Sequence, residues 1–240
     1  MENIERLRTG IEGLDTLLYG GVPVGNQTLI VGGPGTGKTL MCFEILYKCA
    51  KSGIPAAFIA LEESPSAVVK NASLTFSAFT DIDKMISAKT LVVDGENPSL
   101  KVYTPTDSEM YSFGNLLSDI SSIIKENNAK AIALDSISMI KLMLGDPFLY
   151  RRAMIALVSN LKRLGVTSFI TSEMSTSERD RIKFGQEFFI FDGIVAMYAG
   201  KEEEKRVTSL EVLKMRGSNH SWMLSPYEIT EEGFKVFSGE

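Results

Sequence analysis

Gln27-Thr28-Leu29-Ile30-Val31 runs directly into Gly32-Gly33-Pro34-Gly35-Thr36-Gly37-Lys38-Thr39, an apolar run followed at once by a glycine-rich loop. The first five residues read as a short strand. From Lys38 to Ala50 the apolar residues Leu40, Phe43, Leu46 and Tyr47 recur at helical spacing. Between the two lies the pattern of Gly, four residues, then Gly-Lys-Thr, in the strand–loop–helix setting its chemistry needs. Glycines let successive backbone N–H groups turn inward around phosphate oxygens at the positive end of the helix. Lys38 is suited to neutralise β- and γ-phosphates, and the Thr39 hydroxyl to bind Mg²⁺. We therefore assign nucleotide contact to Gly33, Pro34, Gly35, Thr36, Gly37, Lys38, Thr39 and Leu40, with ATP and Mg²⁺ as the expected ligands.

Working outward, short apolar runs alternate with longer amphipathic ones, the pattern of parallel strands joined by crossover helices. Ala56 to Leu61, Leu91 to Val93, Ala131 to Leu134, Val166 to Ile170 and Ile194 to Tyr198 read as strands. Helices are expected from Pro65 through Ala72, between Asp107 and Asn127, and from Tyr150 to Leu164, the last capped by Gly165. From Val207 onward Val207 to Met215, Trp222 to Leu224 and Tyr227 to Phe237 suggest an antiparallel meander, with a turn at Glu232-Gly233. The expected fold is α/β: a phosphate-loop nucleotide-binding core, mostly parallel, twisted and flanked by helices, ending in antiparallel strands. No repeat or linker divides residues 1–240, so one domain is expected.

Two strand ends carry the carboxylates such a site requires. Asp135 closes a fully apolar run, at the sheet edge where open parallel sheets bind ligands, and is the second candidate metal ligand beside Thr39. Glu62 and Glu63 follow Ala56 to Leu61, and one of them could orient or deprotonate the attacking water. Neighbouring side chains on an extended segment point to opposite faces, so only one is expected to face the phosphates, and spacing does not say which.

Composition narrows the function classes. The 240 residues are 44% apolar, enough for a sizeable core, and 25 basic against 30 acidic residues give a formal charge of −5. That weighs against a polyanion as main partner. Apolar stretches such as Ala56 to Leu61 fall far short of the ~18 residues of a membrane span. The start Met1-Glu2-Asn3-Ile4-Glu5 lacks the basic, then apolar character of a secretory leader, so a cytoplasmic protein is expected. Cys42 and Cys49, seven residues apart in one helix, cannot pair, and with the single His220 they do not make a zinc site.

Beyond the phosphate loop, Thr9-Gly10-Ile11-Glu12-Gly13-Leu14-Asp15, Gly20-Gly21-Val22-Pro23, Leu61-Glu62-Glu63, Leu134-Asp135-Ser136, Thr171-Ser172-Glu173 and Lys214-Met215-Arg216-Gly217-Ser218-Asn219-His220 follow in order. In this order and over nearly the whole chain the sequence resembles the single-domain KaiC-like ATPases of the RecA/DnaB superfamily. The resemblance implies a RecA-like fold, ATP hydrolysis, and a homo-oligomeric, hexameric ring with ATP between subunits. It also implies that Lys214 and Arg216 reach the neighbouring subunit's nucleotide and complete the catalytic set with Lys38, Glu62 and Glu63. Two residues apart on an expected strand, they would project from one face; without the resemblance they would read as a solvated strand face. The resemblance further implies that Met215, Ser218, His220, Thr230 and Glu231 lie near that nucleotide. Ser172 and Glu173 fall where related ATPases sense the γ-phosphate, and the acidic Glu173 is expected to act through Mg²⁺, water or a basic partner.

One departure concerns the clock proteins of the family. Aligning Asp192-Gly193-Ile194-Val195 on their Asp-x-Ile-Ile strand puts Phe188 and Phe189 where their second domain carries phosphorylated hydroxyls. Phenylalanine accepts no phosphate, so a clock-type autokinase is not expected. The leading reading is a ring ATPase serving as a regulatory or signalling switch for a protein partner. The alternatives are a nucleic-acid-binding recombinase or helicase core and a nucleotide-binding scaffold that does not hydrolyse. Met174 to Gln186 supplies Arg179, Arg181 and Lys183 for nucleic acid, but also Glu178 and Asp180, with Phe184 as its one aromatic. ATP versus GTP stays open at this stage.

Overall fold

The structure is a computed structural model and describes residues 4–95, 109–181, 185–202 and 205–239. Asp107, Lys183 and Phe184 lie outside the described residues.

The alternation of buried strands and amphipathic helices folds as the pattern requires. The chain opens with a short antiparallel pair, β1 (Arg6–Leu7) and β2 (Val22–Pro23), flanking helix α1 (Glu12–Leu17). Then follow β3 (Gln27–Gly32), α2 (Lys38–Lys51), β4 (Ala56–Ala60), α3 (Pro65–Thr75), α4 (Ile82–Ser87) and β5 (Leu91–Asp94). The middle of the chain contributes α5 (Glu109–Glu126), β6 (Ala131–Asp135), α6 (Ser138–Leu144), α7 (Pro147–Leu164) and β7 (Thr167–Glu173). Four strands end it: β8 (Gly193–Glu202), β9 (Lys205–Met215), β10 (Ser225–Thr230) and β11 (Gly233–Val236).

Nine strands form one sheet in the order β11-β10-β9-β8-β3-β7-β6-β4-β5. From β5 to β8 neighbours run parallel, and from β8 to β11 they run antiparallel. The central strands are buried on both faces, as parallel strands under two helical layers must be. Ile30, Phe58 and Ala133 pack with α2 and α3 on one face, while Leu29, Val31, Ile59 and Ile132 pack with α5 and α7 on the other. Helix α5 turns Phe113, Leu116, Ile120 and Ile124 into that second layer. This is the RecA-like α/β architecture expected from the sequence. Among the described residues no helix is long and apolar enough to cross a membrane.

Several local expectations are corrected. Trp222 to Leu224 is not a strand: the Ser221 hydroxyl accepts the Met223 N–H at 3.2 Å, a local bond that competes with ladder pairing, and all three apolar side chains are exposed. β7 begins at Thr167 rather than Val166 and closes on Ser172 and Glu173, which extend the parallel ladder with β3 beyond Ile170. The β10–β11 turn is Glu231-Glu232, since Thr230 pairs with Gly233. Gly233 opens β11 at φ +120°, and a Cβ there would lie 2.2 Å from a Glu44 carboxylate oxygen.

That carboxylate is the most consequential buried acid outside the site. Glu44 on α2 is 2% exposed and accepts the Phe234 N–H at 2.7 Å. Burial pushes its pKa from 4.5 up to about 7, against the opposing pull of that hydrogen bond and of Lys48. A carboxyl whose pKa is raised by folding stabilises the fold fully below about pH 4.5 and loses that contribution as pH rises through 7. Glu44→Gln keeps an acceptor without the charge. It is expected to raise unfolding free energy at pH 8 by roughly 1–3 kcal/mol, with little change at pH 4.5, in denaturant titrations at the two pH values.

Candidate functional site

The register of the parallel strands gathers the sequence motifs at one edge. Gly32 pairs with Glu173, and Ala60 with Asp135, so the phosphate loop, Glu173, Asp135 and the β4 end share the carboxyl edge. There a cleft of about 300 Å³ is lined by the loop, Thr39, Leu40, Glu62, Glu63, Asp135, Ser136 and Glu173.

The loop depends on glycine. Gly35 and Gly37 hold φ of +71° and +91°, in the left-handed region. Three donors converge on the Gly33 carbonyl oxygen: Lys38 Nζ at 3.1 Å, Thr36 Oγ1 at 2.9 Å and the Thr36 N–H at 3.4 Å. A phosphate oxygen would compete for the same donors. Burial lowers the Lys38 pKa from its ordinary value, opposed by Glu173, then Asp135 and Glu62. Glu173 lines the same cleft as Lys38, and its N–H donates to Ser138 Oγ at 2.9 Å.

Thr39 Oγ1 donates to Asp135 Oδ2 at 2.8 Å, and Thr171 Oγ1 donates to Asp135 Oδ1. Burial raises the Asp135 pKa, with both hydroxyls opposing it. The pair fits Mg²⁺, which takes a hydroxyl and a carboxylate or two from protein and the rest from phosphate and water. Among the described residues no three His, Cys, Asp or Glu side chains form a metal cage, which such a site does not need. The Asp135–Ser136 peptide is cis.

Glu62 and Glu63 both line the cleft, where only one was expected. β4 ends at Ala60, and residues 61–63 bend, so strand alternation no longer applies. Ser136 Oγ donates to Glu62 Oε2 at 2.9 Å, beside Asp135, and Asn71 Nδ2 donates to Glu63 Oε2 at 3.0 Å, beside α3.

Lys214 and Arg216 stand elsewhere. Gly193 pairs with Thr28 on one side and Met215 on the other, which puts both cations at the amino edge of β3, about 13 Å of strand from the phosphate loop. β9 ends at Met215, so Arg216 is just beyond the strand, yet both side chains turn to the same segment. Lys214 Nζ donates to Phe191 O at 2.6 Å, and Arg216 to Phe189 O at 3.0 Å, with Asp192 Oδ1 3.6 Å from its guanidinium. Asp192 is buried and also takes Lys162 Nζ at 2.8 Å.

The remaining expected nucleotide contacts are divided. Met215 is buried with its sulfur 3.7 Å from Asn26 Nδ2, and Ser218 Oγ accepts from Arg6 at 2.7 Å. His220 Nδ1 lies 2.9 Å from Ser221 O. These three accompany the Lys214 end of β9. Thr230 and Glu231 are not with them: they form the β10–β11 hairpin end, where Glu231 accepts from Ser77 at 3.0 Å and Thr230 donates to Gly233 O at 2.9 Å. Their neighbour Ile229 sits against Gly37, on the flank of the chain's own loop.

Two residues that motif reading passed over touch the loop from outside: Arg206 donates to Gly35 O at 3.0 Å and Tyr227 to Thr36 O at 2.5 Å. No spacing signal marks either. Of the basic residues considered for nucleic acid, the two among the described residues are engaged in the chain: Arg179 forms a two-pronged pair with Glu211, and Arg181 pairs with Glu178 at 3.1 Å. Phe188 is buried and Phe189 exposed.

Comparison with known proteins places nearly the whole chain in one family. The family model for the KaiC ATPases matches residues 7–240. A UPF0273 protein of Aeropyrum pernix is 35% identical over 239 residues, covering 98% of this chain and 94% of that protein. Circadian clock oscillator protein KaiC 1 of Synechocystis is 32% identical and KaiC of Synechococcus elongatus 31%, each covering 98% of this chain. The chain spans less than half the length of these clock proteins, 45% and 44%. With the phosphate loop, the carboxylate edge and the antiparallel end all inside the matched span, the chain belongs to the KaiC family of ATPases.

Proposed function

We propose that residues 1–240 act as one domain that binds Mg·ATP and hydrolyses it at sites completed between subunits of a ring, hexameric by likeness to the family. The observation that carries the reading is the separation of two half-sites in one chain. Lys38, Thr39, Asp135, Glu62 and Glu63 share the carboxyl edge, while the two candidate phosphate-clamping cations, Lys214 and Arg216, lie at the opposite edge. A strand-length separation weighs against a clamp within one subunit and supports one supplied by a neighbour that presents its Lys214 edge to the cleft.

In this reading Lys38 and the loop N–H groups bind the phosphates, and Thr39 and Asp135 would hold Mg²⁺, which would supply charge neutralisation to the phosphates. Glu62 or Glu63 accepts a hydrogen bond from the attacking water and aligns it. Lys214 and Arg216 of the adjacent subunit offset charge developing in the transition state, as arginine fingers do. Turnover then alters how neighbouring subunits pack, which is what a regulatory switch presents to a protein partner. A phosphorylation cycle forms no part of the reading, because Phe188 and Phe189 offer no hydroxyl.

The experiment is phosphate release from Mg·ATP as protein concentration rises, expressed per protomer, with assembly followed by light scattering. The rate is expected to climb and saturate together with ring formation. A measurable rate from protomers that scattering shows to be monomeric would overturn the shared-site reading. Absence of release from assembled rings would favour a scaffold.

A further inference from the structure

We propose that Arg206 and Tyr227 are positioning residues that hold the phosphate loop in its nucleotide-binding shape by pinning the Gly35 and Thr36 carbonyls outward. The inference rests on the phosphate loop binding nucleotide, as proposed above, and adds two residues no loop motif contains.

The two donors come from different strands of the antiparallel end. Arg206 lies on β9 and is exposed, and its guanidinium reaches Gly35 O at 3.0 Å; Tyr227 lies on β10, is buried, and its hydroxyl reaches Thr36 O at 2.5 Å. Behind them Ile229 and Phe234 leave no room for a side chain at Gly37, where a Cβ would fall 2.7 Å from Ile229 Cδ1 and 3.1 Å from Phe234 Cζ. The Tyr227 and Phe234 rings stand 5.6 Å apart, so the backstop is a packed unit. In a trans peptide the C=O of one residue and the N–H of the next point in opposite directions. Drawing the Gly35 and Thr36 carbonyls outward therefore turns the N–H groups of Thr36 and Gly37 inward. The Thr36 N–H accordingly crosses the loop toward Gly33 O at 3.4 Å. Inward N–H groups are what an anion-binding backbone concavity consists of. Fixing them before the ligand arrives removes an ordering cost from binding.

Both contacts can be removed without opening the core: Arg206→Ala acts at the surface, and Tyr227→Phe deletes one hydroxyl. The first readout needs no nucleotide. Amide hydrogen exchange at residues 35–38 of the ligand-free protein is expected to accelerate about fivefold in each variant, with β3 and β7 amides unchanged. The second is calorimetric titration with Mg·ADP, in which each variant is expected to bind about tenfold more weakly and the double variant more weakly still. In steady-state turnover KM should rise by more than kcat falls, and Arg206→Lys should recover part of the affinity. Unchanged loop exchange, or unchanged Mg·ADP affinity in the double variant, would overturn the proposal. A wild-type protein that binds no nucleotide would instead sink the function proposed above, and the exchange measurement would still decide whether these residues hold the loop.

Discussion

Lys38→Ala is expected to weaken Mg·ATP binding by at least about a hundredfold while leaving the ligand-free protein as stable as the wild type or more so. The first half follows from position. Lys38 is 8% exposed beneath a loop whose other donors are backbone N–H groups and the hydroxyls of Thr36 and Thr39, so among the described residues lining the cleft it is the one cation. A charge-assisted hydrogen bond formed out of contact with water accounts for a loss of that size. The second half follows from the direction of its titration. Burial lowers its pKa, so folding disfavours the ammonium, and the fold gains stability as pH rises through that lowered value. A residue that costs the ligand-free fold and serves the ligand gives opposite signs in the two assays. Titration calorimetry and thermal unfolding of the same preparation read them together. Retained affinity would remove the phosphate loop as the binding site, and a large drop in melting temperature would make Lys38 structural.

Arg216→Ala is expected to reduce kcat by about a thousandfold, the scale of a missing arginine finger, and to regain activity when mixed with Lys38→Ala. In the first variant each subunit has an intact phosphate loop and no finger; in the second the reverse holds. In a ring assembled at random from equal amounts, about a quarter of interfaces join an intact loop to an intact finger. Activity near that fraction of wild type is the expected result, measured after dissociation and reassembly. Neither variant alone can give it. No recovery at any mixing ratio would place Arg216 in its own subunit's chemistry, against the strand of distance between them. Loss of Arg216 leaves Asp192 its ion pair with Lys162, so the fold should be little affected.

How much of this was legible in the sequence depends on how local each feature is. The β3–loop–α2 unit and the Asp135 edge are written in contiguous residues: strands buried on both faces read as unbroken apolar runs, and the chemistry sits at their ends. The two glutamates were found but their geometry was not, because pleat alternation was extended past Ala60, where the strand stops. Trp222 to Leu224 reads as a strand by composition but pairs with no strand among the described residues, which a single sequence does not reveal. Arg206 and Tyr227 were invisible for another reason. They meet the loop across 171 and 191 residues, and each looks like an ordinary residue of an amphipathic strand. The separation of Lys214 from the phosphate loop likewise depends on sheet order, with β8 lying between β3 and β9. That order has no local signature.

The two buried cysteines on α2 have a practical consequence. Burial raises the Cys42 thiol well above its ordinary pKa and pushes Cys49 up to about 12, so at neutral pH neither offers a thiolate at the surface. Alkylating reagents react with thiolates, and reach these two only when the helix carrying the phosphate loop leaves the sheet. Labelling kinetics thus give a built-in clock for opening of the nucleotide-binding half of the molecule, with no engineered probe and no need for a reductant to guard the native state.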